Sequence, residues 1–191
     1  MLQDIIISKC RVKLLQVFFS QPQEIFYIRQ LVRLTGEEIN AVRRELQHLE
    51  KVGLAKKENR GNRIYYWMDK DHPLYGDLMS LVSKTVGLGE TIIKNRAKLG
   101  KIRLAMLSGR FARNLPTKEG GVDLLVVGDI QLPELAKIIR PEETKLGREI
   151  NYTVMSRQEF DFRKKRHDPF LQGILADSRI MLIGDEMDLV S

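Results

Sequence analysis

Residues 37–52 have the pattern of an amphipathic helix whose two sides differ in chemistry. Apolar side chains recur three and four positions apart, the spacing that places them on one side of an α-helix. They are Ile39, Val42, Leu46 and Leu49. Hydrogen-bonding side chains occupy the other side, namely Asn40, Arg44, Gln47, His48 and Lys51, with Arg43 on the flank. Because such a helix must bury its apolar stripe, the neighbouring segments have to supply a core.

The segments around this helix predict four further elements. Residues 8–20 and 27–34 show helical spacing of apolar side chains, and Gly36 stands where a helix C-cap prefers glycine. Downstream, residues 54–58 and 63–67 are typical of two short strands joined by a turn that contains glycine. The order is helix, short helix, tight turn, polar-faced helix and hairpin. This is the order of a winged helix-turn-helix.

Basic side chains are concentrated in the polar-faced helix and the hairpin. The whole chain of 191 residues has a formal net charge of +7, which favours a polyanionic partner only weakly. Residues 43–63, in contrast, contain seven Lys and Arg residues against three Glu residues. Arg pairs bidentately with guanine, and Asn or Gln with adenine, so the helix has the chemistry of a major-groove reader. The hairpin would place its charges near phosphates or a minor groove.

These observations predict a surface for double-stranded DNA in the N-terminal domain. The side chains expected to contact the duplex are Asn40, Arg43, Arg44, Gln47, His48, Lys51, Lys56, Lys57, Arg60, Asn62 and Arg63. For each cation taken alone, the alternative is a solvated surface charge. The order of the elements, more than any single residue, favours DNA.

Cysteine content and apolar patterning argue against several other classes of protein. Cys10 is the single cysteine and cannot form an internal disulfide, and no CxxC or HExxH spacing supplies zinc ligands. Charged residues such as Asp4 and Lys9 interrupt the apolar N-terminal stretch, and no apolar run approaches the roughly 18 residues of a membrane span. We therefore expect no resident metal or cofactor, no membrane partner and a cytoplasmic location.

Three runs in this region resemble the ArsR-type winged-helix transcriptional regulators. They are residues 31–36 (LVRLTG), 40–46 (NAVRREL) and 49–54 (LEKVGL), and the resemblance covers roughly residues 8–75. It implies a sequence-specific regulator that binds as a homodimer to two half-sites about one helical turn apart. Some members of this family sense metals, but their ligand cysteines have no counterpart here.

The pattern changes after Pro73, and we place the first domain at residues 1–73. Residues 74–99 are typical of one or two helices that connect the domains or dimerise. Residues 100–191 alternate short apolar runs with helical stretches, which predicts a small α/β domain. The expected strands are 103–107, 122–127, 150–155 and 180–183, and the expected helices are 133–139, 157–166 and 169–176. The predicted fold class is α+β, with two domains and a mixed sheet in the second.

Two segments of the second domain resemble the minimal nucleotidyltransferases of the polymerase-beta type. They are residues 107–113 (LSGRFAR) and 122–128 (VDLLVVG), and the resemblance covers roughly residues 100–190. In that family a Gly-Ser turn after the first strand holds triphosphate. Two carboxylates one residue apart on a later strand, and a third on a neighbouring strand, hold magnesium ions that activate the attacking hydroxyl.

The carboxylates of this family are mostly missing from the chain. Aligning Gly109 with the family glycine puts Arg110 at the serine and Gly121 at the first carboxylate, and only Asp123, at the second, is acidic. The third position falls at Asn151, with Glu149 as the less favoured candidate. We therefore expect a degenerate site and no catalysis, and we expect Asp123 to be a capping or salt-bridged acid. Magnesium would be required only if the chain were an active enzyme.

The turn itself could still bind a nucleotide effector without magnesium. The residues considered for this phosphate-binding role are Ser108, Gly109, Arg110, Arg113 and Asp123. A separate basic run at residues 163–166 could touch nucleic acid, but its place at the end of a helix favours a role with the helix dipole.

The leading functional prediction is a DNA-binding transcriptional regulator. Its nucleotidyltransferase-like domain would bind an effector, dimerise or contact a partner protein. One alternative is an active, magnesium-dependent nucleotidyltransferase. Another is an antitoxin-like partner of a small helical toxin, because stand-alone domains of this type often pair with such proteins.

Overall fold

The computed structural model of the protein describes residues 2–190. The chain divides between Thr85 and Val86 into two compact units, and each contains helices and a sheet. The predicted α+β fold class is thus confirmed. Of the segment expected to connect the domains, residues 75–83 form a helix of the N-terminal unit. The helices at 87–94 and 96–99 belong to the C-terminal unit.

The N-terminal unit contains five helices and a three-stranded antiparallel sheet among the described residues. The helices are α1 (Leu2–Ile5), α2 (Lys9–Ser20), α3 (Ile28–Thr35), α4 (Ile39–Lys51) and α5 (Tyr75–Ser83). The strands are β1 (Phe26–Tyr27), β2 (Ala55–Arg60) and β3 (Arg63–Met68), in the order β1-β3-β2. Strands β2 and β3 form a hairpin whose last pair is Arg60 with Arg63.

Local signals in the sequence explain where the helices of this unit begin and end. The Ser8 side chain accepts a hydrogen bond from the Arg11 backbone N–H at the start of α2. Gly36 ends α3 with a φ of +64°, a conformation that glycine adopts without the strain of a Cβ, as the sequence predicted. The Glu38 carboxylate accepts hydrogen bonds from two N–H groups at the start of α4.

The apolar stripe of α4 is buried for most of its length. Val42, Leu46 and Leu49 are in the core, as predicted. They are joined there by residues of α2 and α3, including Val12, Leu15, Phe18 and Leu31. Ile39 is only partly buried, because it lines a groove at the N-terminal end of α4.

The C-terminal unit contains seven helices and a four-stranded mixed sheet among the described residues. The helices are α6 (Gly87–Lys94), α7 (Arg96–Leu99), α8 (Gly109–Ala112), α9 (Leu132–Leu146), α10 (Arg157–Lys165), α11 (Pro169–Ala176) and α12 (Met187–Val190). The strands are β4 (Gly100–Ser108), β5 (Leu124–Ile130), β6 (Tyr152–Met155) and β7 (Arg179–Ile183). Their order is β6-β5-β4-β7, with β5 and β6 parallel and the other pairs antiparallel.

The sheet of this unit is covered on both faces. Helices α6 and α9 pack on one face, where they meet side chains such as Leu107 and Leu124. Helices α10 and α11 pack on the other face, against Leu104, Met106 and Leu125. Because both faces are covered, residues 104–107 of β4 and 124–127 of β5 are apolar without alternation. Among residues 2–190, no helix combines the length and apolar character that are needed to cross a membrane.

Candidate functional site

The outer face of α4 presents the polar side chains that the sequence assigned to DNA. All six of them are exposed to solvent, namely Asn40, Arg43, Arg44, Gln47, His48 and Lys51. A hydrogen-bonded anchor holds the opposite side of the helix. The Ser8 hydroxyl donates to Glu45 Oε1 at 2.6 Å, and Arg11 Nε donates to Glu45 Oε2 at 2.8 Å.

The Glu45 carboxylate remains charged in this anchor. Burial acts to raise the pKa of Glu45, but the hydrogen bonds from Ser8 and Arg11 outweigh burial, and the pKa lies below its usual value. The anchor ties α4 to the beginning of α2. The anchor therefore fixes the orientation of α4, and with it the polar face, relative to α2.

Three of the five predicted hairpin contacts already have acidic partners within the chain. The pairs are Lys56 with Asp69 at 2.8 Å, Lys57 with Glu50 at 2.8 Å, and Arg60 with Glu58 at 2.6 Å. Each hydrogen bond to a carboxylate raises the pKa of its cation. Exposed pairs of this kind are weak, so a phosphate could displace the carboxylate, but it must compete for the cation. Asn62 and Arg63, at and beside the hairpin turn, are exposed.

A groove of about 780 Å³ lies between α3, the first turn of α4 and the hairpin tip. Four exposed arginines line it, namely Arg29, Arg33, Arg43 and Arg63. None of the four forms an ion pair with a carboxylate of residues 2–190. Sequence reasoning did not include Arg29 and Arg33, although their spacing of four residues places them on one face of α3. We call this groove, with its four arginines, the arginine groove.

Tyr27 contacts two members of the arginine groove. Arg33 Nη2 donates a hydrogen bond to the Tyr27 hydroxyl at 2.9 Å. The Arg63 guanidinium lies over the Tyr27 ring, 4.8 Å from its centroid, in a cation–π arrangement. The Tyr65 ring packs edge-on against Tyr27 at 6.0 Å between centroids. Tyr27 thus connects α3 with the hairpin.

In the C-terminal unit, the Gly109 turn joins β4 to the short helix α8. The Ser108 side chain caps α8 by accepting a hydrogen bond from the Phe111 N–H at 3.1 Å. The Gly109 N–H donates to the Ser178 carbonyl at 2.6 Å. A Cβ at position 109 would lie 2.1 Å from Ser178 Oγ, so close packing alone demands glycine there.

Basic side chains surround Asp177 beside this turn. Lys118 Nζ donates to both Asp177 carboxylate oxygens, at 2.8 and 2.9 Å. This hydrogen bond and the charges of Lys118, Arg110 and Arg113 lower the pKa of Asp177. Arg110 Nε also donates to the Pro116 carbonyl, and Arg113 Nη2 to Ser178 Oγ. The sequence reasoning did not include Lys118.

A cavity of about 270 Å³ opens next to these groups. Its lining includes Ser108, Lys118, Gly121, Phe170, Asp177 and Arg179. Of the residues considered for phosphate binding, Ser108 lines this cavity, while Gly109 packs on Ser178 and Asp123 lies elsewhere. The cavity therefore contains only part of the predicted site.

Asp123 lies immediately before β5 and is fully buried, and its carboxylate accepts hydrogen bonds from neighbouring groups. The Thr117 hydroxyl donates to both of its carboxylate oxygens, at 2.8 and 2.7 Å. Arg148 Nη1 forms an ion pair with Oδ2 at 3.2 Å, and the Asn151 backbone N–H donates to the same oxygen at 3.1 Å. Asp123 is thus the salt-bridged acid that the sequence suggested as an alternative to a metal ligand.

Magnesium does not fit this arrangement. The two Asp123 oxygens that would bind a cation face a guanidinium, a hydroxyl and an N–H group. Asn151 and Glu149, considered for the third carboxylate position, are exposed, and Asn151 reaches Asp123 through its backbone. Within the described part of the chain, no three His, Cys, Asp or Glu side chains are grouped to hold a metal ion.

Comparison with known proteins finds a relative of the nucleotidyltransferase class. A protein of Methanocaldococcus jannaschii named "putative protein adenylyltransferase" is 30% identical to this chain over 82 residues. The match covers 43% of this chain and 80% of the relative. It supports a nucleotidyltransferase-like domain, and the chain belongs to the family of this relative. No protein-family model matches the chain, and no solved structure matches it.

This similarity corrects the expectation that the chain is not an enzyme. A relative named for adenylyl transfer points to a nucleotidyltransferase enzyme. The expectation rested on the residues at three carboxylate positions of one motif. The similarity to this relative extends over 82 residues, many more than the three positions of that motif.

Proposed function

We propose that the N-terminal unit binds double-stranded DNA and that the protein is a transcriptional regulator. The observation that carries this proposal is the polar face of α4, which is exposed along its length beside a projecting hairpin. The order of elements, with α3 and α4 joined by a short turn and a sheet ordered β1-β3-β2, is that of a winged helix-turn-helix. This order of elements supports the proposal.

In this proposal α4 enters the major groove. Within residues 2–190, the side chains of Arg44 and Gln47 form no hydrogen bond or ion pair. Both are therefore available to bind a base edge. Asn40, His48 and Lys51 lie on the same exposed side of the helix. The hairpin would lie along the backbone or in the minor groove, with Asn62 and Arg63 at its leading end.

We expect replacement of Arg44 and Gln47 by alanine to relax base preference. The test is selection of bound fragments from genomic DNA with the full chain and with the double variant, followed by affinity measurement on the enriched duplex. Each lost bidentate contact should lower discrimination against a wrong base by about tenfold. The matched control is the double variant Arg157→Ala and Gln158→Ala, which removes the same residue types from α10.

The two outcomes of this selection are distinct. An enriched motif that the α4 variant loses and the α10 variant keeps would support the proposal. If the unmodified chain enriched no motif and bound no duplex, DNA binding would be refuted. The homodimer implied by the ArsR resemblance would appear as two half-sites about 10 base pairs apart in the enriched sequence.

A second candidate function, nucleotidyl transfer by the C-terminal unit, is favoured by the similarity to the adenylyltransferase of Methanocaldococcus jannaschii. Because that relative is named for a protein substrate, we propose that the adenylyl group of ATP is transferred to a protein and that pyrophosphate leaves. The basic cluster of Arg110, Arg113 and Lys118 beside the cavity provides charge for the phosphates of ATP.

For this candidate we expect label from the α-phosphate of ATP, and not from the γ-phosphate, to appear in protein. The chain is incubated with either labelled ATP, a divalent cation and a cell extract, and the proteins are separated. Replacing Arg110 and Arg113 together by alanine should reduce the labelling, whereas Lys137→Ala on the exposed side of α9 should not. Absence of α-label above the level of heat-denatured chain would eliminate adenylyl transfer.

A further inference from the structure

The arginine groove concentrates positive charge that the described part of the chain does not neutralise. Arg29 and Arg33 come from α3, Arg43 from α4, and Arg63 from the hairpin. In contrast, the hairpin cations outside the groove are each held by a carboxylate. Guanidinium groups held near each other without counter-charges repel one another. Such a cluster is stabilised when an anion binds between them.

The shape of the groove indicates which anion fits. Its volume of about 780 Å³ exceeds what a single phosphate would fill, and its arginines lie on three separate elements. The lining between the arginines is apolar and consists of Val32, Ile39 and Ile64. An extended chain of phosphates joined by sugars matches this alternation of charged and apolar surface. Arg43, which lines the groove, is followed in the sequence by Arg44 on the outer face of α4.

We propose that the arginine groove binds the sugar-phosphate backbone of one DNA strand and that Tyr27 is the positioning residue of this site. The inference rests on the proposed DNA binding and adds to it a surface on α3. The Tyr27 hydroxyl holds Arg33 and its ring holds Arg63, so one side chain orients two phosphate ligands from different elements. Arginines already held in place lose less conformational freedom when DNA binds.

The two contacts of Tyr27 can be removed separately. Tyr27→Phe deletes the hydrogen bond to Arg33 and keeps the ring under Arg63. Tyr27→Leu deletes both contacts. Tyr65→Phe is the matched control, because it removes the same hydroxyl from the neighbouring ring, which has no hydrogen bond to residues 2–190 in the structure. Tyr27 lies in β1 and precedes α3, so thermal unfolding of each variant must be measured beside binding.

The experiment measures the affinity of the full chain for a duplex at several salt concentrations. We expect Tyr27→Phe to weaken binding by about threefold to tenfold, the effect of one hydrogen bond. Tyr27→Leu should weaken it further, and Tyr65→Phe should leave it unchanged. Arg33→Ala and Arg63→Ala should each reduce the slope of log affinity against log salt by about one. Arg96→Ala, an exposed arginine of α7, should not change the slope.

A double variant separates positioning from a structural role. In the Arg33→Ala background, Tyr27→Phe should cause no further loss, because its hydrogen-bond partner is absent. An equal loss in both backgrounds would overturn the positioning role of Tyr27. Unchanged salt slopes for the Arg33 and Arg63 variants, with the unmodified chain binding DNA, would overturn the groove as a phosphate site. Failure of the unmodified chain to bind any duplex would instead refute the proposed function itself.

Discussion

Asp123→Ala is expected to destabilise the C-terminal unit by about 3 kcal/mol, since it breaks a buried ion pair by removing one partner. The lost carboxylate serves three donors at once, namely the Thr117 hydroxyl, the Arg148 guanidinium and the Asn151 N–H. The Thr117 hydroxyl and the Asn151 N–H would each lose this acceptor at a position that is fully shielded from solvent. Arg148 would keep the carbonyl oxygens of Leu115 and Glu149 but lose its ion pair. Urea or thermal unfolding of the full chain measures the effect.

The matched control for this prediction is Asp129→Ala. Asp129 lies near the other end of β5 and is exposed, so its removal should change stability by less than about 0.5 kcal/mol. If Asp123→Ala were as stable as the unmodified chain, the ion pair would not be structural, and the interpretation of Asp123 as a metal ligand would return. A loss of nucleotidyl transfer in an Asp123 variant is therefore evidence of catalysis only if that variant remains folded.

Gly109→Ala is expected to destabilise the same unit by about 3 kcal/mol through overpacking. The new Cβ would lie 2.1 Å from Ser178 Oγ and 2.9 Å from both Ser178 Cβ and the Ser178 carbonyl oxygen. The hydroxyl can rotate away, but the carbonyl belongs to the backbone and accepts the Gly109 N–H. The turn and the beginning of β7 would therefore have to move apart, which unfolding measurements would detect.

Two further variants test the cause of this loss. Ser178→Gly removes Oγ and Cβ, so the double variant should recover part of the stability that Gly109→Ala loses. Gly173→Ala, in α11, meets nothing within 4 Å and should be neutral or stabilising, because alanine favours a helix. An unchanged unfolding transition for Gly109→Ala would show that the turn is not tightly packed. Gly109 would then be a glycine that the phosphate-binding role alone explains.

Most elements of the fold could be predicted from the sequence because their signals are local. The stripe of Val42, Leu46 and Leu49 and the C-cap at Gly36 depend on residues within a few positions of each other. The two-residue strand β1 was missed because it is defined only by its pairing with β3, about forty positions further along the chain. The beginning of β5 was placed two residues early, since Val122 and Asp123 share its apolar neighbourhood without joining the strand.

The candidate sites depend on contacts that the sequence does not display. Lys56 and Lys57 were predicted to face phosphates, and no local pattern indicated that Asp69 and Glu50 would pair with them. The arginine groove was missed because it combines three elements that approach each other only in the folded unit. The helical spacing of Arg29 and Arg33 does indicate that they share one face of α3, but it does not show that this face lies beside α4 and the hairpin.

In the C-terminal unit, too, the roles of the site residues depend on contacts between residues that are distant in the sequence. The motif comparison identified Gly109 and Asp123, two positions with strict requirements. Both were considered for phosphate binding, although a capping or salt-bridged role was expected for Asp123. In the structure each has a requirement set by a distant partner, Ser178 for the glycine and Arg148 for the acid. A single sequence does not distinguish a residue that packing requires from a residue that ligand binding requires.

The pairing order of the N-terminal sheet has one more consequence. Because the order is β1-β3-β2, the hydrogen-bonding groups on the outer side of β2 have no partner strand among residues 2–85. An open edge of this kind can pair with a strand of another molecule and begin aggregation. Strand β2 is exposed from Lys56 to Arg60, and four of these five side chains are charged. Whatever they contribute to DNA binding, these charges also protect the protein from association through its own sheet edge.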